Sequence, residues 1–310
     1  MAASSRMDTR TGLSDAKRAL LDQWLTGRQR MPVACEPTPR PPGMSEIPLS
    51  FAQERMWFLH RLDPGSPLYN VPMPIWLRGA INEQALEQSI NGIVSRHEVL
   101  RTRFALHGDR PVQIIEPAMH IPLLVCDLRE IFEPERAAEL EYLIWKETRR
   151  PFDLASGSLL RATWVRLGSM GCTGNGDSLD GNIGVLLLVT HHIVADGWSM
   201  AVFYRELSRL YLWYAEGIPG QLPELPIQYA DYAIWQRSRL TSEMLDRQLA
   251  YWRQHLDGAP PLLALPADFH RPPIQGAEGA SQALMIEPDI ARGIAELGHF
   301  AKATPFMTLL

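Results

Sequence analysis

The sequence lacks the features that mark secreted, membrane-spanning and nucleic-acid-binding proteins. Its three cysteines, Cys35, Cys126 and Cys172, are an odd number at wide spacings, which argues against a disulfide framework and favours a reducing, cytoplasmic environment. No window holds the roughly 18 uninterrupted apolar residues of a membrane span, and the N-terminus has no apolar segment of signal-peptide length. A net charge of -5 offers no basic surface for nucleic acid. We therefore expect neither a membrane nor a nucleic-acid partner.

Several common catalytic and cofactor motifs are also missing. There is no GxGxxG after a predicted strand, no Walker loop and no GxSxG nucleophile elbow. Zinc is an alternative because His191, His192 and Asp196 are possible ligand types. However, neighbouring histidines on one strand diverge, and no Cys or further His lies nearby at a ligand-like spacing. We therefore expect no metal site.

The composition is that of a soluble globular protein, with 46% hydrophobic and 21% charged residues over 310 positions. This length accommodates one large or two medium domains. Apolar patterns predict strands and helices that follow each other without a strict βαβ rhythm. That mixture is typical of an α+β fold built in layers.

Composition also separates the folded part of the chain from its N-terminal region. Residues 1–30 are predicted to be a polar tail followed by an amphipathic linker helix. Residues 31–47 are rich in proline and are interpreted as a tether, so the folded part should begin near residue 48. A glycine-rich stretch at residues 168–182 is predicted to be a flexible hairpin loop.

The stretch around His191 and His192 is the principal candidate for a functional site. The apolar run Gly184 to Val189 predicts a strand buried on both faces. Because successive side chains of a strand point to opposite faces, one imidazole should face a crevice and the other the packing behind it. Asp196 and Gly197 predict a bend directly afterwards. Taken singly, each histidine is more often a structural group, so both interpretations stay open at this point.

Four stretches together resemble one family. They are SFAQERMWFL from Ser50, RHEVLRTRF from Arg96, THHIVADGWS from Thr190 and YADYAIW from Tyr229. In this order they resemble the condensation domain of nonribosomal peptide synthetases. Thr190 and Ala195 depart from the pattern, since they stand where the family often has Met and Ser. The resemblance implies two lobes, each like chloramphenicol acetyltransferase, with a tunnel between them and the HHxxxDG loop at its centre.

The resemblance also implies how the chain is divided. Residues 48–225 would form the first lobe, a mixed sheet flanked by helices. Residues 226–310 would supply inter-lobe helices and the incomplete start of a second lobe. A helix capped by Thr304, with Pro305 at its first position, would run to the last residue, and the later motifs of the family are absent. We therefore expect a truncated chain that is inactive alone.

The implied reaction is amide-bond formation. An acyl or peptidyl thioester on an upstream peptidyl carrier domain would supply the carbonyl group, and an aminoacyl thioester on a downstream carrier would supply the amine. Both substrates would be carried on the 4'-phosphopantetheine of the carriers, so the domain itself would bind no cofactor. An adjacent adenylation domain is implied if the chain is completed.

The resemblance assigns roles to residues. His192 is the implied catalytic histidine, which would accept a proton from the amine, orient it or stabilise the tetrahedral intermediate. Asp196 is expected to form a structural ion pair with Arg96, or failing that with Arg101. The other motif residues are expected to support the loop or the packing: His191, Gly197, Trp198 and Ser199 beside the motif, and Ser50, Arg55, Tyr229 and Trp235 in the companion stretches.

Two other functions share some of these features. The apparent truncation and the predicted N-terminal helix also suit a non-catalytic fragment that only docks carrier proteins or a neighbouring synthetase. A related HHxxxDG acyltransferase acting on an alcohol acceptor has the same central motif. The stretches around Arg96 and Tyr229 favour the condensation domain over that enzyme.

Overall fold

The computed structural model describes residues 36–44, 46–169, 182–262, 266–270, 279, 282 and 284–310. The chain divides into two compact units, residues 1–261 and 262–310. The predicted N-terminal linker helix and residues 170–181 of the predicted loop lie outside the described residues. The predicted lobe boundary at residue 225 stays a prediction.

Strands and helices alternate irregularly along the first unit. Its described elements are β1 (Ile47–Pro48), α1 (Phe51–Leu62), β2 (Asn70–Arg78), α2 (Glu83–Arg96), a 3-10 helix (Glu98–Arg101), β3 (Thr102–His107), β4 (Arg110–Ile115), β5 (Leu123–Asp127), α3 (Glu135–Arg149), β6 (Leu160–Ser169), β7 (Asn182–His191), α4 (Gly197–Glu216), α5 (Tyr229–Arg239) and α6 (Ser242–His255). The second unit contains α7 (Pro288–Ala301) and α8 (Pro305–Leu309). None of the helices described here is long and apolar enough to cross a membrane.

The strand that leads into the histidine motif lies inside a four-stranded mixed sheet, in the order β2-β7-β6-β5. Strands β2 and β6 pair with β7 antiparallel, whereas β5 pairs with β6 in parallel. Residues 185–189 are all buried, which confirms the interpretation of the apolar run. Pro72 and Pro74 predict an edge strand, and β2 does lie at the sheet edge. A second, antiparallel sheet has the order β1-β4-β3.

Helices α2 and α4 pack against each other and share one hydrophobic core with the mixed sheet. Ile90 and Ile93 of α2 are buried in this core, as are Phe203 and Leu207 of α4. A Cβ added at Gly92 would lie 3.2 Å from Leu210, so the glycine permits the close approach of the two helices. The contact fixes α4 behind the end of β7, where the motif lies.

The helices begin at the polar residues that cap them. Ser50 forms a capping box with Gln53 at the start of α1, and Asn82 accepts a hydrogen bond from the backbone N–H of Ala85 in α2. The sequence predicts helices that begin at these two residues, since Ser and Asn are favoured caps, and the structure confirms both starts. Asp196 caps α4 in the same manner, although its sequence indicated only a bend.

The second unit confirms one prediction and corrects another. Thr304 caps α8 with Pro305 at the first helical position, as predicted. The sequence of residues 281–286 predicts a strand, and this prediction is wrong for the described positions 282 and 284–286, which lie outside any strand. Leu284 and Met285 are more than four-fifths exposed. The described residues of this unit contain no strand with which residues 284–286 could pair.

Gly184 offers a test of the packing of the mixed sheet. An added Cβ would lie 2.3 Å from the ring of Trp164 and 2.6 Å from the carbonyl oxygen of Val165. Gly184→Ala should therefore lower the free energy of unfolding by about 1–3 kcal/mol, measured by urea denaturation. Gly65→Ala is the matched control, because its Cβ would meet nothing closer than 3.9 Å. Equal urea midpoints for the two variants would contradict this packing.

Candidate active site

The HHxxxDG motif connects the end of β7 to the start of α4. His191 is the last residue of β7, and Gly197 is the first residue of α4. The backbone N–H of His191 donates to the carbonyl oxygen of Leu159 at 3.0 Å, and that of His192 donates to Tyr69 at 2.8 Å. Chain segments on both sides of β7 therefore hold the turn. His191 is 2% exposed, whereas His192 is exposed, so the two imidazoles diverge as predicted.

The hydrogen bond of His192 determines which of its ring nitrogens carries the proton. Its Nδ1 lies 2.8 Å from the carbonyl oxygen of Ala195. A carbonyl oxygen only accepts, so Nδ1 must be the donor, and the neutral ring has a free lone pair on Nε2. That tautomer is the one required of a base acting through Nε2.

His191 has the opposite tautomer. The backbone N–H of Ile193 donates to its Nδ1 at 3.1 Å, so in the neutral ring the proton lies on Nε2. The rings of His60, Tyr69 and Phe152 surround it at centroid distances of 6.2 to 6.3 Å. Burial, and secondarily the nearby His60 and His192, lower the pKa of His191 to about 4. It is therefore neutral at physiological pH.

Asp196 holds the first turn of α4. Its Oδ1 accepts hydrogen bonds from the backbone N–H of Ser199 at 2.8 Å and from the Ser199 hydroxyl at 2.6 Å. The backbone N–H of Asp196 donates to the same hydroxyl at 3.2 Å. These bonds lower the pKa of Asp196, so the carboxylate stays ionised at the positive end of the helix.

The predicted ion pair between Asp196 and Arg96 or Arg101 is wrong. Nε of Arg96 lies 3.2 Å from Oε1 of Glu206, and its Nη2 donates to the carbonyl oxygen of Pro223 at 2.5 Å. Arg101 bonds instead to the backbone of Glu116. The physical reason is burial, since the exposed Asp196 is satisfied by its own helix turn.

Glu206 is the carboxylate that requires a cation. It is 5% exposed, and its Oε2 lies 2.7 Å from Nε2 of His97. The sequence carried a signal for it, because Glu206 lies next to Leu207 and three residues after Phe203 on the apolar face of the predicted helix.

A cavity of about 420 Å³ lies beside the motif. Half of the twelve predicted site residues line it: Arg55, His192, Asp196, Trp198, Ser199 and Tyr229. The other half do not: Ser50, Arg96, Arg101, His191, Gly197 and Trp235. The remaining walls are mainly apolar and include residues that sequence reasoning missed, among them Gln53, His97 and Thr190. The Ser50-x-x-Gln53 spacing of a capping box was a signal for Gln53.

Contacts between the companion stretches support one side of the cavity. The Ser50 hydroxyl lies 3.0 Å from the hydroxyl of Tyr229 and joins the start of α1 to α5. Burial raises the pKa of Tyr229. Nε of Arg237 donates to the carbonyl oxygen of Leu49 at 2.8 Å, which fastens α5 to the same segment. Trp235 lies outside the cavity, with its ring 5.7 Å from that of Tyr232.

No cluster of three or more His, Cys, Asp or Glu side chains suited to a metal ion occurs in the part of the chain that the structure describes. The ligand types of the motif do not converge, because His191 and His192 point apart and Asp196 is bonded to Ser199. The zinc alternative therefore has no support from the geometry of the motif.

Two substitutions test the corrected roles of the acidic residues. Asp196→Ala removes a helix cap and should lower the free energy of unfolding by about 1 kcal/mol. Glu206→Ala leaves the Arg96 guanidinium without its buried partner and should lower it by about 3–5 kcal/mol. Urea denaturation measures both, and Asp196→Asn, whose amide oxygen still caps the helix, is the control. A loss from Asp196→Ala as large as that from Glu206→Ala would contradict this assignment.

The lowered pKa of His191 predicts how stability changes with pH. As the pH falls below about 6.5, the unfolded chain binds this proton before the folded chain does. Stability should therefore decrease down to about pH 4, by roughly 3 kcal/mol from this group. His191→Asn removes the titrating ring and keeps an acceptor for the Ile193 N–H, so its free energy of unfolding should fall less steeply. Parallel pH profiles for the two proteins would rule out this role.

Comparison with known proteins indicates one family. The family model of the condensation domain matches residues 44–310. A linear gramicidin synthase protein of Brevibacillus parabrevis is 45% identical over 264 residues, which cover 85% of this chain and 5% of that protein. Phosphinothricin tripeptide synthetase PhsC of Streptomyces viridochromogenes is 39% identical over 302 residues, 96% of this chain and 26% of that protein. The chain thus spans a small part of the length of these relatives.

Solved structures have the same fold. A complex of the X-domain and OxyB from teicoplanin biosynthesis matches with 29% identity and a TM-score of 0.65, over 86% of this chain and 54% of that chain. The SgcC5 protein from Streptomyces globisporus matches with 30% identity and a TM-score of 0.60, over 84% and 57% of the two chains. The predicted fold class, an α+β lobe like chloramphenicol acetyltransferase, is confirmed. The chain belongs to the condensation domain family.

Proposed function

We propose that this chain, as part of a complete synthetase, takes part in forming an amide bond between an acyl or peptidyl thioester donor and an aminoacyl thioester acceptor. The observation that carries the proposal is the hydrogen bond from Nδ1 of His192 to the carbonyl oxygen of Ala195. It leaves Nε2 unprotonated on a side chain that lines the cavity. A base at this position serves a reaction in which a nitrogen loses a proton as it attacks.

His192 would act at both ends of the reaction. As the amine nitrogen attacks the thioester carbonyl, Nε2 accepts its proton while the C–N bond forms. When the tetrahedral intermediate collapses, the C–S bond breaks and the same proton passes to the leaving thiolate. Throughout, the other ring proton stays on Nδ1, and its hydrogen bond to the carbonyl oxygen of Ala195 stabilises the imidazolium. No covalent intermediate on the enzyme is required, because the thioester is already activated.

The cavity would supply positioning. Its mainly apolar walls would hold the acyl and aminoacyl groups beside His192, so that the reacting atoms meet in a fixed orientation. A Cβ added at Gly197 would meet no atom within 4 Å, so close packing does not require a glycine there, and this residue does not line the cavity.

The partners follow from the same reaction. We propose that upstream and downstream peptidyl carrier domains deliver the substrates on 4'-phosphopantetheine, in the cytoplasm, next to an adenylation domain of the same synthetase. The support for this assembly is that the relatives named above are a synthase and a synthetase far longer than this chain.

Two observations keep the alternative functions in view. SgcC5 was solved with (R)-(-)-1-(2-naphthyl)-1,2-ethanediol, an alcohol, which supports an alcohol acceptor for a related site. The teicoplanin X-domain was solved as a complex with another protein, OxyB, which supports a docking function. The base at Nε2 of His192 would serve an amine and an alcohol equally, so the test must offer both acceptors.

His192→Ala tests the proposal. In a synthetase that contains the completed domain, the variant should lose roughly 10²- to 10⁴-fold in the rate of product formation from loaded donor and acceptor carriers, followed by mass spectrometry. Its melting temperature should stay close to that of the wild type, because the side chain is exposed. His120→Ala is the matched control, since His120 is an exposed histidine that does not line the cavity.

Each alternative predicts a different outcome. Equal product from His192→Ala and the wild type would refute a catalytic role for this histidine. Product from an alcohol acceptor but not from an amine would favour the ester-forming alternative. Carrier binding without product from any loaded pair would favour the docking function.

A further inference from the structure

The hydroxyl of Thr190 is a buried polar group without a hydrogen-bond partner among the described residues. Thr190 is 1% exposed, and it lines the cavity beside His192. Buried hydroxyls are nearly always hydrogen-bonded, so an unpartnered one in a cavity wall requires an explanation. Asn70 and Arg161 also have an unpartnered buried atom, but neither lines the cavity.

The position of Thr190 relates its hydroxyl to the reacting atoms. It is the residue before His191 in β7, so strand alternation puts its side chain on the face opposite to that of His191, and Thr190 and His192 line the cavity whereas His191 does not. Across the sheet, Thr190 is flanked by Val71 and Leu160, whose apolar side chains offer it no hydrogen bond.

The other buried or half-buried polar side chains in the cavity wall already have partners. Gln53 bonds to the backbone N–H of Ser50, and His97 bonds to Glu206. Gln228 bonds to the backbone of residues 96 and 98. Thr190 therefore differs from these neighbours, since its hydrogen-bonding capacity is unused and its surroundings are apolar.

We propose that Thr190 is a specificity-determining residue, whose hydroxyl forms a hydrogen bond with a polar group that the substrate carries near the reacting nitrogen. This inference rests on the proposed function. The polar group belongs either to the acceptor side chain or to the donor acyl chain, because both lie next to that nitrogen when the bond forms.

The expected selectivity follows from the cost of leaving the hydroxyl unpaired. A substrate that supplies a hydrogen bond satisfies it, whereas an apolar substrate of the same shape covers it and leaves it unsatisfied. The wild type should therefore prefer the polar member of a matched pair by roughly 5- to 100-fold.

Binding of stable amide analogues to the full 310-residue chain tests the inference without requiring turnover. The matched pairs are threonyl and valyl pantetheine amides, which are short, and glutaminyl and methionyl pantetheine amides, which are long. Each is made with a free amine, as an acceptor, and with an N-formyl group, as a donor. Calorimetry should show the polar preference in the acceptor or the donor arm, and this arm identifies the source of the group.

Two variants separate the hydroxyl from the shape of the side chain. Thr190→Val should abolish the preference, and Thr190→Ser, which retains the hydroxyl, should keep it. The melting temperature of Thr190→Val should equal or exceed that of the wild type, because the variant removes an unpartnered buried hydroxyl.

Several results would overturn the inference. The first is an equal polar preference in the wild type and in Thr190→Val. The second is the absence of a polar preference, or of any binding, in both the acceptor and the donor arm. The third is a lower melting temperature for Thr190→Val, which would show that the hydroxyl has a partner in the free protein. The proposed function fails separately. If loaded carriers give no product but the binding preference depends on Thr190, the inference stands and the catalytic assignment falls.

Discussion

The hydrogen bond from Nδ1 of His192 to the carbonyl oxygen of Ala195 is the interaction on which the proposed chemistry depends. A neutral imidazole carries one N–H proton, and this bond assigns it to Nδ1, so the free lone pair is on Nε2 of a side chain that lines the cavity. The carbonyl is in position because the chain turns immediately after β7 and enters α4 at Gly197. The role of the histidine is therefore a property of the strand-turn-helix connection and not of the side chain alone.

The surrounding structure holds that connection at three points. Behind it, His191 accepts the Ile193 N–H and stays neutral because it is buried. At the start of α4, Asp196 closes the first turn on Ser199. Further along α4, the buried Glu206 ties the helix to Arg96 at the end of α2 and to His97, the next residue. Each contact satisfies a polar group that would otherwise oppose folding, and together they fix the motif against the hydrophobic core.

The periodicity of the sequence correctly predicted the buried strand and the opposite orientations of the two histidines. The prediction of the ion pair was wrong, because the partner of a charged side chain is determined by tertiary packing. The apolar run before His191 predicted a buried strand, and alternation predicted that the two imidazoles diverge. The sequence could not show that Asp196 forms hydrogen bonds within its own helix turn while Glu206 forms the ion pair with Arg96, because the pairing depends on which carboxylate is buried. The strand predicted near residue 284 failed because strand formation requires a partner outside the segment. Likewise, the sequence does not show that the hydroxyl of Thr190 is buried without a hydrogen-bond partner, because this depends on which residues surround it in the fold.

The tautomers of the two histidines test the central claim most directly. Ring ¹⁵N chemical shifts, measured by NMR on the full chain at neutral pH and assigned with His191→Asn and His192→Ala, report which nitrogen of each imidazole is protonated. The structure predicts a proton on Nδ1 of His192 and on Nε2 of His191. A proton on Nε2 of His192 would contradict the account, because this nitrogen would then have no lone pair to accept the proton of the attacking amine.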